Sequence, residues 1–99
     1  MSHHCLEIKQ ESPHWYRDLD DDCCAKWMEL LLHAEWMDGE GKDSLWWWGV
    51  YILVTGEELD SSNNHSNPPN SGEVARKCAE AAARHYFEKV YSALFRHIG

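Results

Sequence analysis

The sequence predicts an α+β domain in which two helices pack on a small antiparallel sheet. The first observation is an apolar run at residues 45–55, rich in β-branched and aromatic side chains, which favours a strand. The second is that residues 20–37 and 73–97 carry apolar side chains at three- and four-residue steps, the spacing of amphipathic helices. The third is the length of 99 residues, which predicts one domain over 1–99.

The N-terminal segment is predicted to add a short edge strand to the sheet. Residues 5–10 alternate, with Leu6 and Ile8 on one side and charged side chains on the other. Pro13 is then a helix-start or turn signal, and residues 14–16 are predicted to form one helical turn.

The first long helix is predicted over residues 20–37. Its apolar stripe consists of Cys23, Cys24, Trp27, Leu30, Leu31, Ala34 and Met37, while Lys26, Glu29 and His33 fall mainly on the other side. The aspartates at 20–22 lie in the first turn, where they complement the helix dipole. Gly39 and Gly41 supply the stop signal.

The strand predicted over residues 45–55 is apolar on both faces. One face carries Trp46, Trp48, Val50, Ile52 and Val54, and the other carries Leu45, Trp47, Tyr51 and Leu53. In a two-layer domain, the second face of this strand is exposed to solvent. Trp47 and Tyr51 therefore require either a covering layer, such as the C-terminal helix, or a protein interface, which a homodimer would also provide. After Gly56, a short return strand is expected to end near Ser61.

The last third of the chain is predicted to be a flexible loop followed by a long helix. Residues 61–72 contain no large apolar side chain and are rich in Asn, Ser and Pro. Asn70 and Glu73 have capping-box spacing, and the helix is predicted over 73–97. Small residues at 79–83 allow this helix to pack closely on the sheet or on the first helix.

The net charge of −8 is concentrated before residue 73, where 14 acidic residues oppose 4 basic ones. Such a field repels nucleic acid and anionic lipid and steers basic partners toward this part of the chain. The sequence therefore predicts neither direct nucleic-acid binding nor membrane association.

The four cysteines and the N-terminal composition indicate a reducing compartment. No signal-peptide apolar region precedes the cysteines, and the neighbouring pair Cys23 and Cys24 does not form a disulfide framework. The predicted location is the cytoplasm.

Motifs for catalysis or cofactor binding are missing from the sequence. His33 and Glu35 match half of the zinc deaminase signature, but the P-C-x-x-C half is missing. No G-x-S-x-G turn and no glycine-rich phosphate loop occurs. The chain is therefore predicted to be a non-enzyme without cofactor or metal. A small zinc site at residues 3–5 or at the Cys23-Cys24 pair is an alternative, although no C-x2-C or H-x3-H pair is present.

Two features are the candidates for partner binding. The first is an acidic series formed by Asp18, Asp20, Asp21, Asp22, Glu29, Glu35, Asp38, Glu40, Asp43, Glu57, Glu58 and Asp60. One explanation of this series is solubility together with stabilisation of the helix dipole. The other is that the carboxylates imitate the phosphate backbone of a nucleic acid and occupy a basic groove in its place. The second is the aromatic pair Trp47 and Tyr51, which would anchor an interface.

In its general architecture the chain resembles small phage and mobile-element inhibitors of bacterial defence, of which the anti-CRISPR proteins are the best known. The shared features are about a hundred residues, acidity, a Trp-rich strand, a polar loop and an Ala-rich final helix. The resemblance implies a stoichiometric inhibitor that docks on a basic, nucleic-acid-binding partner, such as a CRISPR effector subunit, in the cytoplasm of a host bacterium. The alternatives are a homodimeric assembly protein that uses the exposed aromatic face and a small zinc-binding protein.

Overall fold

The fold is α+β, with one long helix against one face of a five-stranded antiparallel sheet. The computed structural model describes residues 13–16 and 22–98, the last six of these by backbone alone. The strands lie side by side in chain order: β1 (His14–Tyr16), β2 (Cys23–Trp27), β3 (Leu30–Asp38), β4 (Leu45–Ile52) and β5 (Glu58–Ser61). The helix, α1, spans Gly72–Ile98, and short 3₁₀ turns occur at Gly41–Asp43 and Ser62–Asn64.

The helix predicted over residues 20–37 is wrong, because this segment forms the hairpin of β2 and β3. A two-residue turn at Met28 and Glu29 joins the strands, and Met28 has a positive φ of 55°. Hairpin turns of this length need such a backbone, for which Gly, Asn or Asp is the usual residue. None of these residues marks the turn in the sequence. Of the two packing helices expected, the described residues therefore contain one.

The hairpin imitates helical spacing because two strands and a short turn give the same intervals. The buried residues Cys23, Trp27, Leu30 and Ala34 are separated by four, three and four positions, as on a helix. They are buried because side chains alternate along each strand and the turn shifts that alternation by one residue. Ala25 and Leu32 complete the buried set and are cross-strand partners. The spacing of the apolar residues in this segment therefore fits a helix and a hairpin equally well.

Replacing Met28 with glycine tests the hairpin. Glycine adopts positive φ without the left-handed strain of about 1–2 kcal/mol, but it loses about 0.5–1 kcal/mol of chain entropy on folding. Met28→Gly is therefore expected to raise the free energy of unfolding by about 0.5–1 kcal/mol, measured by urea denaturation. Met37→Gly, at an exposed position of β3, is the control and should lower it. A helix at this position would make Met28→Gly destabilising by about 1 kcal/mol.

The segment at residues 14–16 forms strand β1, so the helical turn predicted there is wrong. Trp15 is the cross-strand partner of Ala25, and its indole Nε1 donates to Glu80 Oε2 at 2.8 Å. The pairing and this bond hold the edge strand against the sheet and α1. The strand predicted over residues 5–10 lies outside the described residues.

The strand predicted over residues 45–55 is present as β4 but ends at Ile52, because residues 53–55 form the turn, where Val54 is exposed and not on the core face. The expected return strand is present as β5. Gly56, with φ of 77°, lies in the connection between them. Trp46, Trp48 and Val50 are 0–5% exposed, as the alternating pattern predicts for the core face. The register between β4 and β5 shifts after Val50, so that Tyr51 pairs with Glu58.

Helix α1 begins one residue earlier than predicted, and its cap is a different residue. The Ser71 Oγ accepts the Val74 N–H at 3.2 Å, so the capping side chain is Ser71 and not Asn70. Within the described residues, no helix combines the length and hydropathy that crossing a bilayer would require.

The core lies between α1 and one face of β2, β3 and β4. Ala75, Ala79, Ala83 and Phe87 follow one another at four-residue steps and are 0–1% exposed. Three alanines in this row let the helix backbone approach the sheet closely, as the small-residue run predicts. Phe87 then fills the end of the core against Trp27, with ring centroids 5.2 Å apart in an edge-to-face arrangement.

Candidate partner-binding face

The two faces of the sheet have different environments. Helix α1 covers one face, and no described element packs on the other, which we call the open face. The open face consists of His14, Tyr16, Cys24, Lys26, Leu31, His33, Glu35, Trp47, Gly49, Tyr51, Glu58 and Ser61. Apart from the cross-strand partners Gly49 and Ser61, which are buried, all of these residues are half-buried or exposed. Trp47 and Tyr51 are thus on the face that α1 does not cover, so the C-terminal helix is not the covering layer that the sequence offered for them.

The strand register arranges the open face in rows of neighbouring side chains. One row runs across the sheet through Lys26, Leu31, Tyr51 and Glu58. In another row, Glu35 is the direct cross-strand partner of Trp47. Directly opposite residues have Cβ atoms about 4.5–5.5 Å apart. Each of the two aromatic residues that β4 places on the open face therefore has a carboxylate as its direct cross-strand partner, on β3 for Trp47 and on β5 for Tyr51.

Trp47 and Tyr51 meet above Gly49. Their ring centroids are 6.4 Å apart with an interplanar angle of 36°, and His33 meets Tyr51 edge-on at 6.0 Å. A Cβ added at Gly49 would lie 2.4 Å from Trp47 Cη2 and 2.9 Å from the Tyr51 hydroxyl oxygen. The missing side chain of Gly49 is therefore what allows the two rings to converge on the sheet.

Two carboxylates give the aromatic pair a negative surrounding. Burial raises the pKa of Tyr51, and the charges of Glu58 and Glu35 raise it further. His33 Nδ1 is 3.6 Å from Glu35 Oε1, beyond ordinary hydrogen-bond length, with both side chains more than a third exposed. The site is thus aromatic at its centre and acidic on both sides.

The acidic series predicted from sequence does not gather on one surface. Asp18, Asp20 and Asp21 lie outside the described residues. Of the others, Asp22, Asp38, Glu40 and Asp43 lie toward the end of the sheet where β3 connects to β4, and Glu29, Glu57 and Glu58 lie toward the opposite end. Glu35 lies on the open face, and Asp60 faces a cleft on the helix side.

Several of these carboxylates make local structural contacts. Asp22 Oδ1 accepts the Trp36 N–H at 3.1 Å, and Asp38 Oδ1 accepts the Gly39 N–H at 2.9 Å. Glu29 Oε1 accepts from the Tyr91 hydroxyl at 3.3 Å, which connects the β2–β3 turn to α1. Three carboxylates of the acidic series therefore have a structural role within the fold that does not require a partner.

A cleft of about 680 Å³, separate from the open face, lies between α1 and the segment after β5. Trp48, Asp60, His65, Cys78 and His85 line it, and sequence analysis did not group these residues. Burial acts to raise the pKa of Asp60, but hydrogen bonds from Asn64, His65 and the Ser61 N–H lower it overall. No sequence signal marks the cleft, because its two walls are far apart in the chain.

The described residues offer little support for metal binding. Among residues 13–16 and 22–98, no group of three or more His, Cys, Asp or Glu side chains is placed to hold an ion. Cys23 and Cys24 face opposite sides of the sheet, so they do not form a joint site. Both are free thiols, as is Cys78. Burial raises the pKa of Cys23 and of Cys78. The alternative zinc site at residues 3–5 lies outside the described part.

Comparison with protein-family models, with curated protein sequences and with solved structures returned no match to this chain. The candidate site therefore rests on the geometry of the open face.

Proposed function

We propose that this chain is a non-catalytic, acidic binding protein whose open face docks on a basic, nucleic-acid-binding partner and blocks it. One observation carries the proposal: an aromatic sheet face that no described element covers, in a chain of net charge −8. Where the partner is a CRISPR effector subunit, the protein acts as an inhibitor of the anti-CRISPR type.

The composition of the open face supports protein binding. Tryptophan and tyrosine are the residues that most often dominate interface affinity, because they bury large areas at low entropic cost. Trp47 and Tyr51 are half-buried and lie near the centre of the sheet, on its fourth strand of five. The net negative charge steers a positively charged partner toward the molecule and keeps like-charged molecules away.

The chemistry of the same face supports binding more than catalysis. Cys24 is the cross-strand neighbour of His33, which in turn lies beside Glu35. Within the described residues, no hydrogen bond joins the Cys24 thiol to the His33 ring, so the thiol lacks the base contact that activates a nucleophile.

Site-specific photo-crosslinking tests the proposal. Leu31 on the open face and Glu88 on the exposed side of α1 would each be replaced by p-benzoylphenylalanine in the full chain, and adducts identified by mass spectrometry. The Leu31 position is expected to crosslink to a basic nucleic-acid-binding protein, and the Glu88 position is not. Added nucleic acid, or a roughly tenfold rise in salt, should reduce the adduct because both compete with charge pairing.

Two results would contradict the proposal. Adducts of twice the mass of the chain would show that a second copy covers the open face, as in the homodimer alternative. An adduct to an acidic partner, or one whose yield does not respond to salt and nucleic acid, would exclude electrostatic competition as the mechanism.

A further inference from the structure

We infer that the open face binds two arginine side chains of its partner, one at Trp47 with Glu35 and one at Tyr51 with Glu58. This inference rests on the proposed function and specifies the chemistry that the partner must present. It follows from the strand register, from the charges that the face leaves unmatched, and from the shape of the guanidinium group.

The register creates two separate aromatic–carboxylate pairs. Glu35 lies directly opposite Trp47, and Glu58 lies directly opposite Tyr51. Trp47 and Tyr51 are four residues apart on β4, which places their Cα atoms about 13 Å apart. Glu35 lies on β3 and Glu58 on β5, on either side of β4, and each is the direct cross-strand partner of one of the two aromatic residues. Two basic side chains, one for each pair, match this arrangement.

Within residues 13–16 and 22–92, no lysine or arginine side chain supplies these cations. Lys26 is on the open face, but it lies on β2, two strands and about 10 Å from Tyr51, with Leu31 between them. Among the described residues, neither Glu35 nor Glu58 pairs with a lysine or an arginine. The negative charge beside each ring is thus available to a partner.

Arginine fits each pair better than lysine does. Its planar guanidinium stacks on an aromatic ring and at the same time presents a fork of N–H donors to a carboxylate. It is also less strongly hydrated than the lysine ammonium, so that placing it against half-buried rings costs less. Trp47 and Tyr51 lie low over Gly49 and offer the ring surface, while Glu35 and Glu58 offer the acceptors.

Peptides with two basic residues test the inference on the full-length protein. The probe is an extended peptide that carries two arginines four positions apart and no other charged side chain. Its binding is followed by the backbone and indole N–H shifts of the protein in NMR titrations. The controls replace one or both arginines by citrulline, which keeps the planar shape without the charge, or by lysine. Each arginine is expected to contribute about tenfold in affinity, so the double-citrulline peptide should bind roughly a hundredfold more weakly.

Variants of the protein assign each arginine to its pair. Glu35→Gln and Glu58→Gln should each weaken the two-arginine peptide about threefold, and together about tenfold. The matched control, Asp38→Asn with Glu40→Gln, removes the same charge near the β3–β4 connection and should change the affinity less than twofold. When one arginine is already citrulline, one of the two single variants should lose its effect.

Equal binding of the arginine and citrulline peptides would overturn the inference, as would equal losses from the Glu35/Glu58 and Asp38/Glu40 variants. Either result would leave the proposed function standing if the Leu31 crosslink to a basic protein persists. Conversely, dimers that dissociate on Trp47→Ser would mean that a second copy occupies the face, and would overturn both.

Discussion

Replacing Phe87 with alanine is expected to lower the free energy of unfolding by about 3–5 kcal/mol. Phe87 is 1% exposed, lies edge-on to Trp27 at 5.2 Å, and stacks on Tyr91 at 5.9 Å with an interplanar angle of 4°. Its removal leaves a cavity where α1 meets the hairpin of β2 and β3, and it ends three aromatic contacts, with Trp27, Tyr86 and Tyr91. Because small domains have a total free energy of unfolding of about 5–15 kcal/mol, this loss is about a fifth of it or more.

Chemical denaturation followed by tryptophan fluorescence and circular dichroism measures this loss. Val90→Ala is the control, since Val90 is on the same helix and 37% exposed, and it should change stability by no more than about 0.5 kcal/mol. Similar losses for the two variants would mean that Phe87 is not in the core. Phe87 is not on the open face, so the folded fraction of Phe87→Ala should still bind the two-arginine peptide.

Replacing Ala79 with leucine is expected to destabilise the fold by about 1–3 kcal/mol or more. Ala79 is fully buried in the alanine row between α1 and the sheet. A leucine needs space that only a displaced helix or strained rotamers can provide. The expected observation is a lower urea midpoint with an unchanged dependence on denaturant.

Ala81→Leu provides the matched control for this prediction. It introduces the same side chain two residues along the same helix at an exposed position, where the change should stay within about 0.5 kcal/mol. A neutral Ala79→Leu would contradict close packing of the helix on the sheet. If Ala81→Leu were the more damaging variant, the opposite side of α1 would face the core.

The described carboxylates of the acidic series do not form one surface. Most of them divide between the two ends of the sheet, and Asp22 and Asp38 accept hydrogen bonds from backbone N–H groups. The candidate site consequently depends on Glu35 and Glu58, whose neighbours are aromatic, more than on the length of the acidic series. Position in the sheet therefore decides which carboxylates can act together.

The sequence by itself determined β4 and α1. A run of β-branched and aromatic residues indicates β4, and apolar residues at three- and four-residue steps indicate α1. Local physical chemistry suffices for the type of these two segments, because their backbone conformation follows from neighbours in the chain. It does not fix their ends or the buried side of α1, since β4 ends at Ile52 and the core row of the helix begins at Ala75. The acidic charge and the presence of two apolar faces on β4 were also evident from composition and order.

Only the tertiary structure decided the hairpin of β2 and β3, and with it the site. Its intervals fit a helix equally well, and the choice depends on pairing with β4, which brings Leu32 opposite Val50 and Glu35 opposite Trp47. Such pairings join residues that are distant in the chain. The free energy that they contribute therefore cannot be estimated from a short stretch of sequence. Contacts between distant residues also decide which face of β4 the helix α1 covers. The helix packs on the face of Trp46 and Trp48, and no described residue of another layer covers Trp47 and Tyr51.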